Sequence, residues 1–257
     1  MFLWNSIAFG PVFSRRLGKS LGINVLPTTE KICSFNCVYC ECGWTPDKEM
    51  MNREYLPAET ILNAIEIKLK SCFEENITID SITFSGNGEP TMHPDFEKII
   101  TGLIPLRNQY YPKSVITCLS NSTQLFRQDV KEALQKIENP ILKLDAGSEA
   151  FFRLVDRPII PITLQEIIEQ LKSFQGKLII QTMLLRGEID GQYFDNSNNE
   201  ELSKLLTHIK EINPKKVMLY SLDRETPAKK LVKIEKPDLK RIAEMICNMG
   251  VVAEIYS

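Results

Sequence analysis

The sequence predicts an α/β protein built as a partial (β/α)6-type barrel with a short N-terminal extension. Short, almost continuously apolar segments alternate with longer amphipathic segments along the chain, as expected for a parallel sheet covered by helices. Six or seven such βα units can be counted, fewer than the eight of a closed barrel. The length of 257 residues suits one α/β barrel domain. A doubly wound open sheet is the alternative, and both folds place function after the carboxyl ends of strands.

The predicted elements follow one another in a regular order. Runs of apolar and β-branched residues predict strands at 22–26, 82–85, 114–119, 140–146, 177–185, 216–221 and 251–256. Amphipathic patterns predict helices at 57–75, 95–106, 127–137, 163–174, 200–212 and 237–249, and Pro57 suits a first helical turn. The polar segment 187–199 is expected to be a mobile lid or a surface loop. We expect one domain over residues 1–257, with an N-terminal extension and first strand at 1–30 and a cysteine-rich loop at 31–44.

Composition narrows the class of protein. The 31 basic and 33 acidic residues give a net charge of −2, so no general basic footprint for nucleic acid is present. No apolar run approaches the roughly 20 residues that span a bilayer, and residues 1–10 lack the basic start of a signal peptide. The seven cysteines are odd in number and unevenly spread, unlike a secreted disulfide scaffold. We therefore expect a cytoplasmic protein with no membrane partner.

Four cysteines are crowded into one short segment, from Cys33 to Cys42. Cys33, Cys37 and Cys40 have the spacing C-x3-C-x2-C. Thiolates bind iron well, and three of them on a four-iron cubane leave one iron open for another ligand. The segment therefore predicts a [4Fe–4S] cluster on these three residues.

Other interpretations of this segment stay open. A structural zinc site usually combines two pairs of ligands, and the only histidines, His93 and His208, form no pair. A ferredoxin-type cluster would use Cys42 as a fourth ligand. A chance grouping of buried cysteines is the third alternative.

Several motifs resemble those of a known family. With Tyr39 before the last cysteine, the cluster segment reads C-x3-C-x-aromatic-C, which resembles the signature of the radical S-adenosylmethionine (SAM) superfamily. The segment Ser85-Gly-Asn-Gly-Glu-Pro90 is similar to the Gly-Gly-Glu-Pro motif of that family, with Asn87 as an apparent insertion. More narrowly, the chain resembles a subgroup of iron–sulfur oxidoreductases related to the wybutosine-forming tRNA enzyme, through Phe9–Gly18, Gly86–Pro90, Arg157-Pro158 and Met183–Gly187.

The resemblance implies two cofactors, a [4Fe–4S] cluster and SAM. The cluster would receive an electron from a flavodoxin-like or ferredoxin-like reductant, and SAM cleavage would give a 5′-deoxyadenosyl radical that abstracts hydrogen from a substrate. Glu89 is expected at the methionine ammonium, and Ser120 and Asn121 at the ribose or carboxylate. The residues expected to bind SAM are Tyr39, Gly86, Asn87, Gly88, Glu89, Ser120, Asn121, Lys143, Asp145 and Gln181.

Charged residues inside one apolar strand support part of this assignment. Lys143 and Asp145 are two residues apart and so point to the same face of the strand. Charges in a buried strand are costly unless they are paired or meet a ligand. A structural ion pair is the alternative to a SAM-binding wall, and Gln181 in the next strand invites the same argument.

Three arginines are candidates for binding the substrate. Arg15, Arg16 and Arg157 flank segments expected at the barrel mouth, and guanidinium groups suit phosphate or carboxylate, although surface arginines are often merely solvated. A small anionic or nucleotide-like substrate is favoured over tRNA because phosphate-backbone binding normally needs a basic face. The other functions considered are a non-catalytic iron–sulfur electron carrier or sensor, and an activase of a partner protein.

Overall fold

The structure of the protein, a computed structural model, describes residues 2–46 and 54–257. The strands are β1 (Ala8–Ser14), β2 (Gly18–Ile23), β3 (Ser81–Phe84), β4 (Val115–Ser120), β5 (Asn139–Lys143), β6 (Ile179–Met183), β7 (Leu185–Ile189), β8 (Gln192–Asp195), β9 (Lys216–Tyr220), β10 (Leu231–Lys233) and β11 (Ala253–Tyr256). The helices are α1 (Ala58–Glu74), α2 (Phe96–Tyr110), α3 (Gln128–Gln135), α4 (Glu149–Phe151, continuing into a π-helical turn at Phe152–Asp156), α5 (Leu164–Lys172), α6 (Asn199–Ile212) and α7 (Lys236–Asn248).

A curled eight-stranded sheet forms the centre of the fold, in the order β1-β2-β3-β4-β5-β6-β9-β11. Only the β1–β2 pair is antiparallel, and the other six pairs in this sheet are parallel. A helical crossover follows each of β2, β3, β4, β5, β6 and β9. The partial barrel with six βα units predicted from the sequence is therefore confirmed.

The chain between β6 and α6 differs from the sequence prediction. In place of a lid or surface loop at 187–199, β7 and β8 form an antiparallel hairpin that β10 extends to a second, three-stranded sheet. Asp190 and Gly191, with φ values of 53° and 76°, form its turn. The prediction was wrong because the Asp-Gly pair, a strong hairpin signal, was interpreted only as a polar loop.

The two faces of the central sheet have different chemistry. The outer face is apolar and packs beneath the helices, through buried residues such as Leu21, Ile82, Ile116, Leu142 and Ile180. Burying this face supplies most of the driving force for folding.

The inner face carries a row of polar side chains on β2, β3 and β4. Ser20 Oγ lies 2.8 Å from Thr83 Oγ1, and Ser81 Oγ lies 2.9 Å from Thr83 Oγ1 and 2.8 Å from Thr117 Oγ1. This hydroxyl ladder crosses β2, β3 and β4, so each buried hydroxyl has a partner. The inner face is therefore polar on β2, β3 and β4, whereas Ile141, Ile179 and Met218 form an apolar cluster on β5, β6 and β9.

Within the described residues, no helix is both long enough and apolar enough to cross a membrane.

Candidate cluster and cofactor site

The cysteine-rich loop, residues 31–44, is fixed by backbone contacts on two sides. Ile32 and Gly88 form an isolated parallel bridge, in which Ile32 N donates to Asn87 O at 2.8 Å and Glu89 N donates to Ile32 O at 2.9 Å. On the opposite side, Phe35 forms an antiparallel bridge with Pro158. The loop is thus held between the segment after β3 and the segment after α4.

Lys31 closes this loop from inside. Its Nζ donates to Gly43 O at 2.8 Å, and the side chain is only 3% exposed. Burial lowers the pKa of Lys31, but nearby Cys40, Cys33 and Cys37 together outweigh burial and raise it. Sequence reasoning missed this residue, because a lysine two positions before a cysteine motif gives no sign of burial.

The structure brings the three cysteines of the motif together as free thiols. Cys33 and Cys37 are buried and Cys40 is half-buried, and the three influence one another electrostatically. Burial raises the pKa of Cys33 to about 11 and that of Cys37 to about 12. The pKa of Cys40 is lowered to about 5, chiefly by a hydrogen bond with Cys42 and secondarily by Lys31.

Cys42 lies beside the three cysteines of the motif. Its hydrogen bond with Cys40 raises its own pKa, and its Sγ also lies 3.3 Å from Gly86 O. The single thiol proton therefore has two acceptors in reach. Gly86 itself has a φ of +135°, a conformation that L side chains rarely adopt.

Lys143 connects β5 with the cluster loop. Its Nζ donates to Cys37 Sγ at 3.0 Å and lies 2.6 Å from Asp156 Oδ1 and 3.4 Å from Asp145 Oδ2. Burial lowers the pKa of Lys143, but Asp156, Cys37 and Asp145 outweigh it and hold the pKa well above its usual value. The Asp156 contact is an ion pair without hydrogen-bond geometry, because Asp156 Oδ1 has no hydrogen-bond partner among the described residues. Lys143 therefore forms an ion pair with Asp145, the alternative considered from the sequence, and also contacts Cys37, a candidate cluster ligand.

Tyr39 closes the other side of the Lys143 ammonium. Its ring centroid lies 4.9 Å from Lys143 Nζ, and its hydroxyl donates to Asp145 Oδ2. Asp145 Oδ1 accepts from Met183 N at 2.8 Å. Burial, followed by the Asp145 charge, raises the pKa of Tyr39 well above its usual value. Tyr39 of the cysteine-rich loop therefore shares one polar cluster with Lys143 and Asp145, which lie two residues apart at the end of β5 and just after it.

Glu89 lies at the centre of a second polar cluster. Its carboxylate accepts from Thr91 N at 3.0 Å, Thr91 Oγ1, Ser120 Oγ at 2.9 Å and Asn121 N. Burial raises the pKa of Glu89, and these hydrogen bonds oppose that rise. Asn121 Nδ2 also contacts Cys33 Sγ at 3.5 Å. Three of the residues expected to bind SAM, Glu89, Ser120 and Asn121, thus lie in direct contact beside the cysteines.

Asn87 does not face the same way as its neighbours. Its side chain is fully buried, with Oδ1 accepting from Trp4 N and Nδ2 donating to Trp4 O and Pro27 O. Asn87 therefore anchors the N-terminal segment, and its side chain has no polar atom left for the expected contact with SAM. At Gly88, where φ is +136°, a Cβ would lie 1.7 Å from Ile32 O, so the bridge to the cysteine loop requires glycine.

Gln181 and Arg16 meet on the inner face of the half-barrel. Arg16 Nη1 donates to Gln181 Oε1 at 3.0 Å, and the guanidinium lies 4.5 Å from the Tyr220 ring centroid. Arg16 and Tyr220 line a cavity of about 450 Å³. The structure therefore places Gln181 in contact with Arg16, a candidate substrate-binding residue.

The other two candidate arginines have acidic partners. Arg15 lines the same cavity but pairs with Asp223 at 2.6 Å. Arg157 pairs with Asp190 at 2.8 Å and lies 5.8 Å from the Trp44 ring centroid. The structure separates Arg157 from Arg15 and Arg16, which the sequence had grouped together.

The side chains around the loop fit an iron–sulfur cluster. Thiolates are the donors such clusters use, and Lys31 and Lys143 place two buried positive charges beside them, which offsets the cost of burying negative charge. In the part of the chain that the structure describes, no three His, Cys, Asp or Glu side chains are grouped to hold a single metal ion. A cubane makes a different demand, because each of its three thiolates binds a separate iron.

The fold and this loop define a class of protein: an α/β half-barrel with a three-cysteine site at the carboxyl ends of its strands. A family model described as the radical SAM superfamily matches residues 29–195. A UPF0026 protein of Methanocaldococcus jannaschii is 36% identical over 235 residues, covering 90% of this chain and 68% of the relative. The chain belongs to the radical SAM superfamily and to the UPF0026 family. Members of the superfamily are generally enzymes that bind SAM and carry an iron–sulfur cluster.

Solved structures of low sequence identity share the fold. A radical SAM methyltransferase from Sphaerobacter thermophilus has a TM-score of 0.65 at 14% identity, covering 92% of this chain and 65% of that chain. Archaeal TYW1 has a TM-score of 0.51 at 14% identity, covering 89% of this chain and 71% of that chain. The chain thus spans about two thirds of the length of these proteins.

Proposed function

We propose that the protein is a radical SAM enzyme that holds a [4Fe–4S] cluster on Cys33, Cys37 and Cys40. When bound, the cluster and SAM supply a 5′-deoxyadenosyl radical, which abstracts hydrogen from the substrate. The observation that carries the proposal is the Ile32–Gly88 bridge, because it joins the three-cysteine loop directly to the Glu89 segment.

The side chains around the loop have separable tasks in this proposal. Lys31 and Lys143 compensate the charge of the thiolates, since each ammonium lies beside cysteine sulfur. Glu89 offers a carboxylate to the ammonium of the methionine moiety, with Ser120 and Asn121 fixing its orientation. Tyr39 and its contact with Asp145 exclude water from one side of the site.

The proposal includes two partners. A flavodoxin-like or ferredoxin-like protein provides the single electron that reductive cleavage of SAM requires. The substrate is a small molecule in preference to tRNA, because the net charge of −2 does not provide the basic face that phosphate backbones need. The reaction takes place in the cavity on the inner face of the half-barrel.

The test is SAM cleavage by the anaerobically reconstituted protein. With about four irons per chain and dithionite as reductant, it should convert SAM to 5′-deoxyadenosine and methionine. Cys33→Ala, Cys37→Ala and Cys40→Ala should each lose both iron and product, whereas Cys42→Ala should keep iron. Cys72→Ala is the matched control, because Cys72 is a buried cysteine of α1.

Two results would contradict the proposal. A protein that holds four irons but forms no 5′-deoxyadenosine would be an electron carrier or a sensor. Loss of iron from Cys42→Ala with retention by Cys33→Ala would show that the ligand set is different.

A further inference from the structure

Arg16 is a cation without an acidic partner inside the cavity. Within the described residues, the guanidinium donates one hydrogen bond, to the neutral amide of Gln181, and no carboxylate there lies within 4 Å of it. The Tyr220 ring packs against it at 4.5 Å. A guanidinium has five N–H donors, so most of those of Arg16 have no partner among residues 2–46 and 54–257.

The other charges of the cavity cancel in pairs. Arg15 pairs with Asp223 at 2.6 Å, and Arg224 pairs with Glu41 at 2.8 Å. The lining contains three arginines and two carboxylates, so one positive charge remains without a paired negative charge. That charge belongs to Arg16. An electropositive cavity with a single unpaired cation attracts one anionic group.

The rest of the wall combines hydroxyl groups, which suit the oxygen atoms of a ligand, with apolar side chains. Ser20 and Thr83 of the hydroxyl ladder line the cavity together with Ser85 and Ser14. Apolar side chains, among them Phe9, Leu119 and Met183, line the remainder. The volume of about 450 Å³ lies within the range of small-molecule sites.

We infer that Arg16 binds an oxyanion, carboxylate or phosphate, of the small-molecule substrate, while Tyr220 and Gln181 hold the guanidinium in place. This deepens the proposed function and rests on it for the identity of the ligand as substrate. Gln181 then acts through Arg16 and is a positioning residue, rather than the SAM-binding residue expected from the sequence. A planar guanidinium presents two parallel donors to an oxyanion. The orientation of the Arg16 guanidinium on the Tyr220 ring therefore sets the direction from which the ligand approaches.

The test measures binding of simple anions to the cluster-loaded protein without reductant. Inorganic phosphate and acetate are titrated separately by calorimetry, and the stronger of the two identifies the anionic group. Arg16→Gln should weaken binding by about ten- to a hundredfold, which corresponds to the loss of one charge-assisted contact. Arg241→Gln, on the exposed side of α7 and paired with Asp238, is the matched control and should bind as the wild type does.

Further measurements keep the inference falsifiable. Arg16→Lys keeps the charge but loses the paired donors, so it should bind more weakly than the wild type even if Arg16→Gln does not fold. Saturating SAM should leave phosphate or acetate binding in place. The inference would be overturned if the wild type and both Arg16 variants bound the anions equally well. It would also be overturned if neither phosphate nor acetate bound, or if SAM displaced the bound anion.

Failure of this inference is distinguishable from failure of the proposed function. Anion binding is measured without SAM cleavage, and 5′-deoxyadenosine formation by the wild type is measured without any added anion. A wild-type protein that binds anions through Arg16 but forms no 5′-deoxyadenosine would refute only the radical chemistry.

Discussion

Lys143 Nζ lies 3.0 Å from Cys37 Sγ and 2.6 Å from Asp156 Oδ1, so one ammonium links a candidate cluster ligand with a buried carboxylate. Lys143 belongs to β5, Cys37 to the loop after β2, and Asp156 to the π-helical turn after α4. Three separate parts of the chain thus meet at one charge. This contact adds to the two backbone bridges that hold the cysteine loop.

Removing that charge should destabilise the fold. Lys143→Met leaves Asp156 buried without a counter-charge, and breaking a buried ion pair typically costs about 3–5 kcal/mol. Urea unfolding of the iron-free protein measures the change in the free energy of unfolding. Lys204→Met, which removes a lysine from an exposed pair with Glu200 on α6, should have no comparable effect. Equal stability of Lys143→Met and the wild type would show that the ion pair contributes nothing.

Gly88 should tolerate no side chain. In Gly88→Ala, the added Cβ meets Ile32 O at 1.7 Å at a φ of +136°, so the bridge to the cysteine loop must open. Gly191→Ala is the control, because its φ is +76° but nothing lies within 4 Å of the added Cβ. The control should lose about 1–3 kcal/mol from backbone strain alone, measured by urea unfolding. Gly88→Ala should lose more and also fail to retain iron, and equal losses would contradict the steric argument.

Glu89 should affect both stability and SAM binding. Glu89→Gln replaces one oxygen of a carboxylate that accepts from four donors by an NH2 group, at a cost of about 1.5–3 kcal/mol. It also removes the charge offered to the SAM ammonium. Glu201→Gln is chemically matched, because Glu201 is a buried carboxylate that accepts from Gly147 N and Ser148 N. Calorimetry should find weaker SAM binding only for Glu89→Gln. If both variants bind SAM as the wild type does, Glu89 stabilises the fold but does not bind SAM.

Cys40 should react as a thiolate at neutral pH in the iron-free protein. Its pKa of about 5 means that alkylation by iodoacetamide is constant above about pH 6 and falls as the pH drops through 5, because only the thiolate reacts. Burial keeps Cys33 and Cys37 protonated at pH 7, so they should react slowly. Peptide mass spectrometry at several pH values measures all three rates.

The Cys42 variant is the control for this pH dependence. Cys42→Ala removes the hydrogen bond that chiefly lowers the pKa of Cys40, so the half-maximal rate should move to higher pH. A wild-type midpoint near the free-thiol value of about 8.5 would contradict the assigned hydrogen bond.

The sequence was sufficient for the alternating βα order of the half-barrel and for the cysteine motif, but not for β1, β7, β8 and β10, which were not predicted as separate strands. Apolar runs such as 82–85 are periodic local signals, and β3 forms at Ser81–Phe84. Cys33, Cys37 and Cys40 lie within one segment, so their spacing alone brings them together. Local patterns of this kind do not depend on how distant parts of the chain pack.

Residues whose role depends on distant partners could not be predicted. Lys31 becomes buried only because the loop closes onto Gly43, and Asp156 meets Lys143 only when the π-helical turn packs beside β5. Asn87 was expected to bind SAM as part of the Gly86–Pro90 segment, yet its side chain contacts Trp4 and Pro27. Such contacts follow from the sheet order rather than from any local pattern.

The bridge between Ile32 and Gly88 has a consequence for protein engineering. A designer who transplants the cysteine loop alone into another half-barrel would move the thiols without the backbone that orients them. The smallest portable unit is the pair of segments 31–44 and 86–90, carried on two neighbouring parallel strands. Chimeras should therefore exchange β2 and β3 together, and recombination points that separate them should yield proteins that fold but do not assemble iron.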